Sequence, residues 1–274
     1  MKLIVSALAI ALGMMSCSQN HEDTKLPMYD ESLQTDLRLL QGRRIYFGHQ
    51  SVGFDIMAGI KELSTSVPGL SQEFITLESS SFPSGGFIAD SRIGRNNFPN
   101  EKCDDFREKV GRLEPESLDV ALMKFCYADI GPQTKVEDVF DYYARTVDSL
   151  TQRFPHTTFV HVTVPYTLKT SSWKLFLKKI IGRADKSEAG NYQRNRFNAL
   201  LMQRFRGAPV FDLARVESTY PDGRRESFEY DGTTVYSLIG DYTYDGGHLN
   251  ETGKRLAARE LIRILADAIR ARGR

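Results

Sequence analysis

Short apolar runs alternate with longer amphipathic stretches over most of this chain, and few folds accommodate that alternation. Strand-length runs lie at Arg44–Phe47, Glu73–Leu77, Asp119–Phe125, Thr158–Val164 and Pro209–Asp212. Helical periodicity marks Val52–Leu63, Glu101–Leu113, Val136–Phe154, Tyr192–Phe205 and Glu251–Arg270. Most of the strand runs are continuously apolar, the pattern of strands covered by helices on both faces. The expectation is an α/β fold of three layers, α/β/α, around a central parallel sheet of about five strands. No internal repeat or low-complexity segment interrupts it.

Two stretches break the alternation. Tyr166–Gly190 contains the basic amphipathic run Trp173–Ile181, which reads as a helix packed on the domain with its lysines solvated, or as a cover over a site or surface. Arg215–Tyr244 is long and aromatic, with Tyr-Pro-Asp-Gly and Tyr-Asp-Gly turn signals that suggest a hairpin. It leads into a His-containing loop and is a candidate substrate wall.

The N-terminus has the build of a targeting segment: Lys2, an apolar run from Leu3 to Met15, then Ser16-Cys17. The run is too short to span a bilayer. Met14-Met15-Ser16-Cys17 resembles a lipobox, after which Cys17 is lipidated. The expected division is a signal peptide over 1–16, a lipidated Cys17 and flexible tether over 17–35, and one domain over 36–274. An ordinary secretory signal cleaved nearby is the alternative and leaves Cys17 as a free thiol. Both place the protein outside the cytoplasm, and the lipidated form is anchored in the bacterial cell envelope, on the periplasmic or cell-surface face of the outer membrane.

Charge adds an exclusion. The 36 Lys+Arg nearly cancel the 35 Asp+Glu, so no strong field favours nucleic acid, and a neutral or locally recognised substrate is expected. A monomer is the expected state. Cys103 and Cys126 are either a disulfide pair, which an oxidising compartment allows, or separate buried fillers. No Cys/His spacing suggests a metal site.

Ligands in open α/β sheets sit beyond the carboxyl ends of the strands. The first strand run ends in Gly48-His49-Gln50-Ser51-Val52-Gly53, which puts Ser51 on a tight strand-to-helix turn. A serine there is a nucleophile or simply the cap of the following helix. Near the other end, Tyr244-Asp245-Gly246-Gly247-His248 precedes the last helix. Through a glycine turn, Asp245 can hold one imidazole nitrogen of His248 and leave the other to take a serine proton. An Asx turn with a capping His is the competing reading. His161 and His156 read as structural and His21 as part of the tether, whereas His49 either packs or contacts substrate. Lys124 faces the same region, either toward the site or only as partner to a carboxylate.

These motifs together resemble the SGNH/GDSL hydrolase family, whose nucleophile follows the first strand and whose Asp-x-x-His precedes the last helix. The resemblance runs from about Arg43 to the C-terminus and includes Leu249–Gly253, Asn195–Asn198 and Val210–Asp212. It implies a flavodoxin-like fold and a Ser51/His248/Asp245 triad that needs no cofactor. Two blocks depart from the family. Its Gly-Asp-Ser is here His49-Gln50-Ser51, and its Gly-x-Asn-Asp aligns with Cys126-Tyr127-Ala128-Asp129, which lacks the asparagine that donates to the oxyanion.

Replacement donors are sought in Arg92–Asn97: the Gly94 N–H, which stands where the family places an oxyanion glycine, then the Asn96 side chain, with Asn97 as a rival and Gly85-Gly86 as a competing pair. The Ser51 N–H completes the expected oxyanion set. His49, Gln50, Asn97 and Tyr127 are candidate substrate contacts. The implied activity is removal of an acyl group, with acetyl the first choice, from a carbohydrate or related ester. Alternatives are an O-acyltransferase with the same triad and a non-catalytic glycan-binding lipoprotein on the same fold.

Overall fold

The computed structural model describes residues 30–77, 83–170 and 186–273. The signal peptide, Cys17, most of the tether and the basic run Trp173–Ile181 lie outside the described residues.

Six parallel strands form one sheet: β1 (Arg44–His49), β2 (Phe74–Thr76), β3 (Phe87–Arg92), β4 (Val120–Met123), β5 (Thr158–Val162) and β6 (Val210–Phe211), in the order β2-β3-β1-β4-β5-β6. β1 is central, with Arg44 opposite Phe87 and His49 opposite Arg92 on one side. On the other, Ile45 lies opposite Val120 and Gly48 opposite Met123. It is buried from Ile45 to His49 and β4 along its whole length, as strands sandwiched between helix layers must be.

Helices complete three layers. Helix α1 (Glu31–Gln41) and helix α2 (Val52–Thr65) pack on the C-terminal helix α7 (Glu251–Arg272). Helix α3 (Pro99–Gly111) packs on α4 (Val136–Arg153), which packs on α5 (Lys186–Arg204). The short α6 (Leu213–Ser218) follows β6. Leu261, Ile262, Leu265 and Ile269 give α7 its buried stripe, each worth about 1.5–3 kcal/mol relative to exposure. Gly59 permits the close crossing of α2 and α7: a Cβ there would meet Ala258 Cβ at 2.8 Å and Lys254 O at 2.9 Å.

Two differences from the sequence reading concern elements with mixed polarity. The sheet has six strands rather than five, because β3 begins apolar at Phe87-Ile88-Ala89 but ends Asp90-Ser91-Arg92. Residues 31–35, expected in the tether, open α1, where Leu33, Leu37 and Leu40 are buried at i, i+4 and i+7.

The expected hairpin is present as β7 (Ser227–Tyr230) and β8 (Thr233–Tyr236). Asp231 (φ 49°) and Gly232 (φ 70°) form its turn, the left-handed pair that two-residue hairpin loops require. The hairpin packs on α5. The part of Arg215–Tyr244 that borders the His248 loop is therefore its tail: Leu238 pairs with Leu168, and the Leu168 N–H donates to Gly246 O at 2.8 Å. Cys103 and Cys126 are both buried and both free, not joined as a disulfide.

Candidate active site

The backbone at Ser51 has φ 56° and ψ −121°, a conformation that costs a non-glycine residue on the order of 1–3 kcal/mol. Ser51 makes no side-chain cap bond to α2, which removes the helix-cap reading of this serine. Its Oγ lies 2.8 Å from His248 Nε2 instead.

The turn is held from three directions. The Gln50 amide donates to Ile93 O at 2.8 Å and also to Gly94 O. Gly53 leaves room for the His49 ring, which a Cβ would meet at 2.4 Å. His49 is fully buried between Phe47 and Phe54, and its Nε2 lies 3.2 Å from Asp90 Oδ2. Burial pushes the His49 pKa down against the pull of Asp90.

These contacts bear on two of the expected substrate contacts. His49 is a packing residue with no access to a ligand, and the Gln50 amide is a strap between β1 and the loop after β3.

The His248 loop carries both features proposed for it at once. Asp245 Oδ1 accepts the N–H groups of Gly247 (2.9 Å) and His248 (2.8 Å), the Asx-turn geometry. Its Oδ2 lies 2.6 Å from His248 Nδ1. Desolvation pushes the Asp245 carboxyl up, but the hydrogen bonds from His248 and Gly247 outweigh it, and its pKa lies below the ordinary value. Asp245 is therefore ionised at neutral pH and fixes the imidazole with Nδ1 protonated, leaving Nε2 free to accept from Ser51. The capping role falls to Asn250, whose side chain accepts from Thr252 and Gly253 N–H at the start of α7.

The Thr243 hydroxyl braces the loop, donating to His248 O at 2.6 Å and accepting from Gly246 N–H at 2.9 Å. The imidazole remains 29 % exposed, so the site is open to a ligand. Tyr244 stacks on it at 5.9 Å between centroids, and Tyr127 meets it edge-on at 5.8 Å.

The expected oxyanion donors in Arg92–Asn97 are arranged otherwise. The Gly94 N–H donates to Asp105 Oδ2 at 2.9 Å, so it is not available to a substrate. Glycine is needed there for packing: φ is +48°, and a Cβ would meet Lys102 N at 2.6 Å. Asn96 turns its side-chain oxygen to Lys102 Nζ at 2.9 Å, and the Asn97 N–H donates to Asp129 Oδ1 at 2.9 Å. Gly85 and Gly86 precede β3 and lie at the opposite end of the sheet, where a Gly86 Cβ would meet Gln41 O at 2.3 Å.

Sequence reasoning missed the group that organises this loop. Lys102 on α3 is fully buried, and its Nζ donates to Asp129 Oδ2 (2.6 Å), Asn96 Oδ1 (2.9 Å) and Cys126 Sγ (3.1 Å). Asp129 Oδ2 also accepts the Cys126 N–H at 2.6 Å. A lysine among the polar residues of α3 carries no local sign that its head group turns inward. Lys124, expected to meet a carboxylate, donates to Phe125 O at 3.1 Å and to Cys126 Sγ at 3.6 Å. Burial lowers its pKa.

Asp55 was also missed. It accepts the Leu249 N–H at 3.1 Å from the first turn of α2 and adds negative charge near His248, while burial raises its own pKa.

Among the expected substrate contacts, Tyr127 stands beside the His248 imidazole. Burial together with the Asp245 charge pushes the Tyr127 pKa up. No group of three or more His, Cys, Asp or Glu among the described residues is placed to hold a metal ion.

No family model and no curated relative matches the chain. Similar solved structures include an acetyl esterase variant with an acetate ion, at 11% identity and TM-score 0.49 over 83% of this chain and 97% of that one. The lipase/acylhydrolase from Enterococcus faecalis is similar at 12% and 0.49 over 82% and 96%. A carbohydrate esterase family 3 protein from Talaromyces cellulolyticus is similar at 11% and 0.42 over 83% and 97%.

Proposed function

We propose that this chain is a serine ester hydrolase of the SGNH/GDSL type, with Ser51 as nucleophile, His248 as general base and acid, and Asp245 as the residue that orients the imidazole. The observation that carries the reading is the continuous hydrogen-bonded line from Ser51 Oγ through His248 to Asp245, at 2.8 and 2.6 Å. A nucleophile within hydrogen-bond reach of a base that is itself held by a third group is the geometry of acyl transfer. The strained backbone of Ser51 supports it, since such strain persists where function requires it.

In the reaction, His248 Nε2 takes the Ser51 proton as Oγ adds to the ester carbonyl. The imidazolium that forms is stabilised by the ionised Asp245. His248 then protonates the departing alcohol, and a water activated by the same nitrogen releases the acyl group. The Ser51 N–H at the start of α2 is the backbone donor to the developing oxyanion.

The substrate in this reading is an acyl ester, with an acetylated carbohydrate the first candidate, met by an exported protein anchored through Cys17. One observation favours a non-catalytic glycan-binding alternative: the Gly94 N–H is engaged by Asp105. Against it stands the alignment of all three triad members.

The test is hydrolysis of p-nitrophenyl acetate by a soluble form beginning near Thr24, compared with Ser51→Ala and His248→Ala. Activity present in the wild type and lost in both variants supports the reading. A wild type no faster than either variant overturns hydrolysis of simple esters and puts the binding reading ahead.

A further inference from the structure

The alcohol half of an ester substrate has one fixed point in this site. When the tetrahedral intermediate collapses, the bond from carbon to the alkoxy oxygen breaks, its electron pair stays on that oxygen, and the oxygen takes the proton held at His248 Nε2. The alcohol therefore lies against the imidazole, and the side chains around that ring are placed to select it.

Among the described residues, two aromatic rings lie against the imidazole, and they are built differently. Tyr127 meets it edge-on at 5.8 Å and 76° and is fitted into the protein. A Cβ at Gly247 would meet the Tyr127 ring at 2.9 Å, the Arg194 guanidinium sits over the ring at 6.0 Å, and Arg194 Nε donates to Tyr127 O at 2.9 Å. Tyr244 instead lies nearly parallel to the imidazole, at 5.9 Å and 13°. At that distance the overlap is partial, and Tyr244 remains 68 % exposed.

This open ring stands on a fixed base. The preceding Thr243 pairs with Leu249, and its hydroxyl donates to His248 O at 2.6 Å and accepts from Gly246 N–H at 2.9 Å. The following Asp245 is tied to the Gly247 and His248 N–H groups. A rigid aromatic on a braced loop is a surface that loses little freedom when a ligand covers it.

The chemistry of that surface selects the ligand. A tyrosine offers an apolar face and a polar tip, and its surroundings are polar. Asp245 adjoins it, and the exposed Asn96 and Asn97 lie on the loop that the Gln50 amide straps to the Ser51 turn. A long aliphatic alcohol needs continuous apolar surface to leave water. A pyranose fits better: it presents a flat face of C–H groups to the ring and hydroxyls to the polar rim.

We infer that Tyr244 is the platform on which the alcohol half of the substrate rests, and that this half is a sugar ring. The inference rests on the triad reading above and names the residue that selects a sugar ester over other acyl esters.

The test measures acetate release by wild type, Tyr244→Ala, Tyr244→Trp and Ser51→Ala on glucose pentaacetate, hexyl acetate and ethyl acetate. These carry one acyl group on a sugar ring, on an aliphatic chain and on an alcohol too small to cover the platform. Tyr244→Ala is expected to lower kcat/KM on glucose pentaacetate about five- to tenfold more than on ethyl acetate, the scale of one aromatic contact. The loss falls mainly on KM, Tyr244→Trp keeps the wild-type preference, and hexyl acetate follows ethyl acetate. The readout is a ratio between substrates, which damage to the imidazole would not move.

Equal losses on all three esters would make Tyr244 a cover for the imidazole and overturn the inference. So would a loss on hexyl acetate equal to that on the sugar ester, unchanged rates in Tyr244→Ala, or a wild type that turns over ethyl acetate but not glucose pentaacetate. In each case an active wild type beside an inactive Ser51→Ala leaves the triad standing. A wild type no faster than Ser51→Ala on every ester would remove the triad reading and this inference with it.

Discussion

Ser51 Oγ and His248 Nε2 lie 2.8 Å apart although 197 residues separate them in the chain. Two local devices meet there: a strained turn at the end of the central strand and a glycine loop before the last helix. Neither explains itself, since the serine caps nothing and the turn is costly. The pair explains both.

Removing the Asp245 charge separates orientation from architecture. Asp245→Asn preserves the turn oxygen that accepts from Gly247 and His248 but presents a poor acceptor to Nδ1. The imidazole then loses its preferred tautomer, and kcat is expected to fall by about 10⁴, the scale seen when a triad carboxylate is replaced this way in serine proteases. Steady-state kinetics with a thermal melt checks it: a matching fall in thermal midpoint would mark the loss as structural.

Gly94 is expected to matter for stability rather than for chemistry. Its left-handed φ and the 2.6 Å approach to Lys102 N leave no room for a methyl group. Gly94→Ala should cost about 1–3 kcal/mol in urea unfolding, and a soluble fraction of the variant should keep its kcat per folded molecule.

Lys102 tests the support beneath the loop after β3. Lys102→Met leaves Asp129 buried without its cation, a change expected to cost about 3–5 kcal/mol. The measurement is the shift in urea midpoint. A shift under about 1 kcal/mol would mean that water compensates Asp129.

Glu217 sets a pH dependence of stability. It is fully buried in α6, accepts the Tyr166 N–H with one oxygen, and has no hydrogen-bond partner among the described residues for the other. Burial pushes its pKa up from 4.5 to about 8, against the Tyr166 hydrogen bond and the nearby Lys124 and Arg194 charges. An acid raised on folding binds its proton more tightly in the native state. Its contribution is full below about pH 4.5 and is lost as pH rises through about 8. Relative to Glu217→Gln, the wild type is expected to lose urea stability across that window and to level off above it. Parallel curves for the two proteins would show that Glu217 is ionised throughout.

How much of this was legible in the sequence depends on whether the signal was local. β1, β4 and β5 show as apolar runs because both their faces are covered. β3 does not, because Asp90, Ser91 and Arg92 end it, and Asp90 is polar for a reason that lies across the sheet at His49. Ser51, Asp245 and His248 were readable because strand ends and a three-residue spacing announce them. Gly94 was misread as a donor, since nothing nearby in the sequence reveals that Asp105, a full turn into α3, takes its N–H. Lys102 and Asp55 are helical charges whose inward direction is fixed by tertiary packing. Tyr127 could be named as a contact from its place after β4, but its edge-on position against His248 emerged with the fold.

The most direct measurement is covalent labelling of the wild type with a fluorophosphonate, followed by mass spectrometry of the peptides. The triad predicts one adduct, on Ser51, absent in Ser51→Ala and formed at least about 10³-fold more slowly in His248→Ala. No adduct on Ser51, or labelling at the same rate with His248 removed, would contradict it.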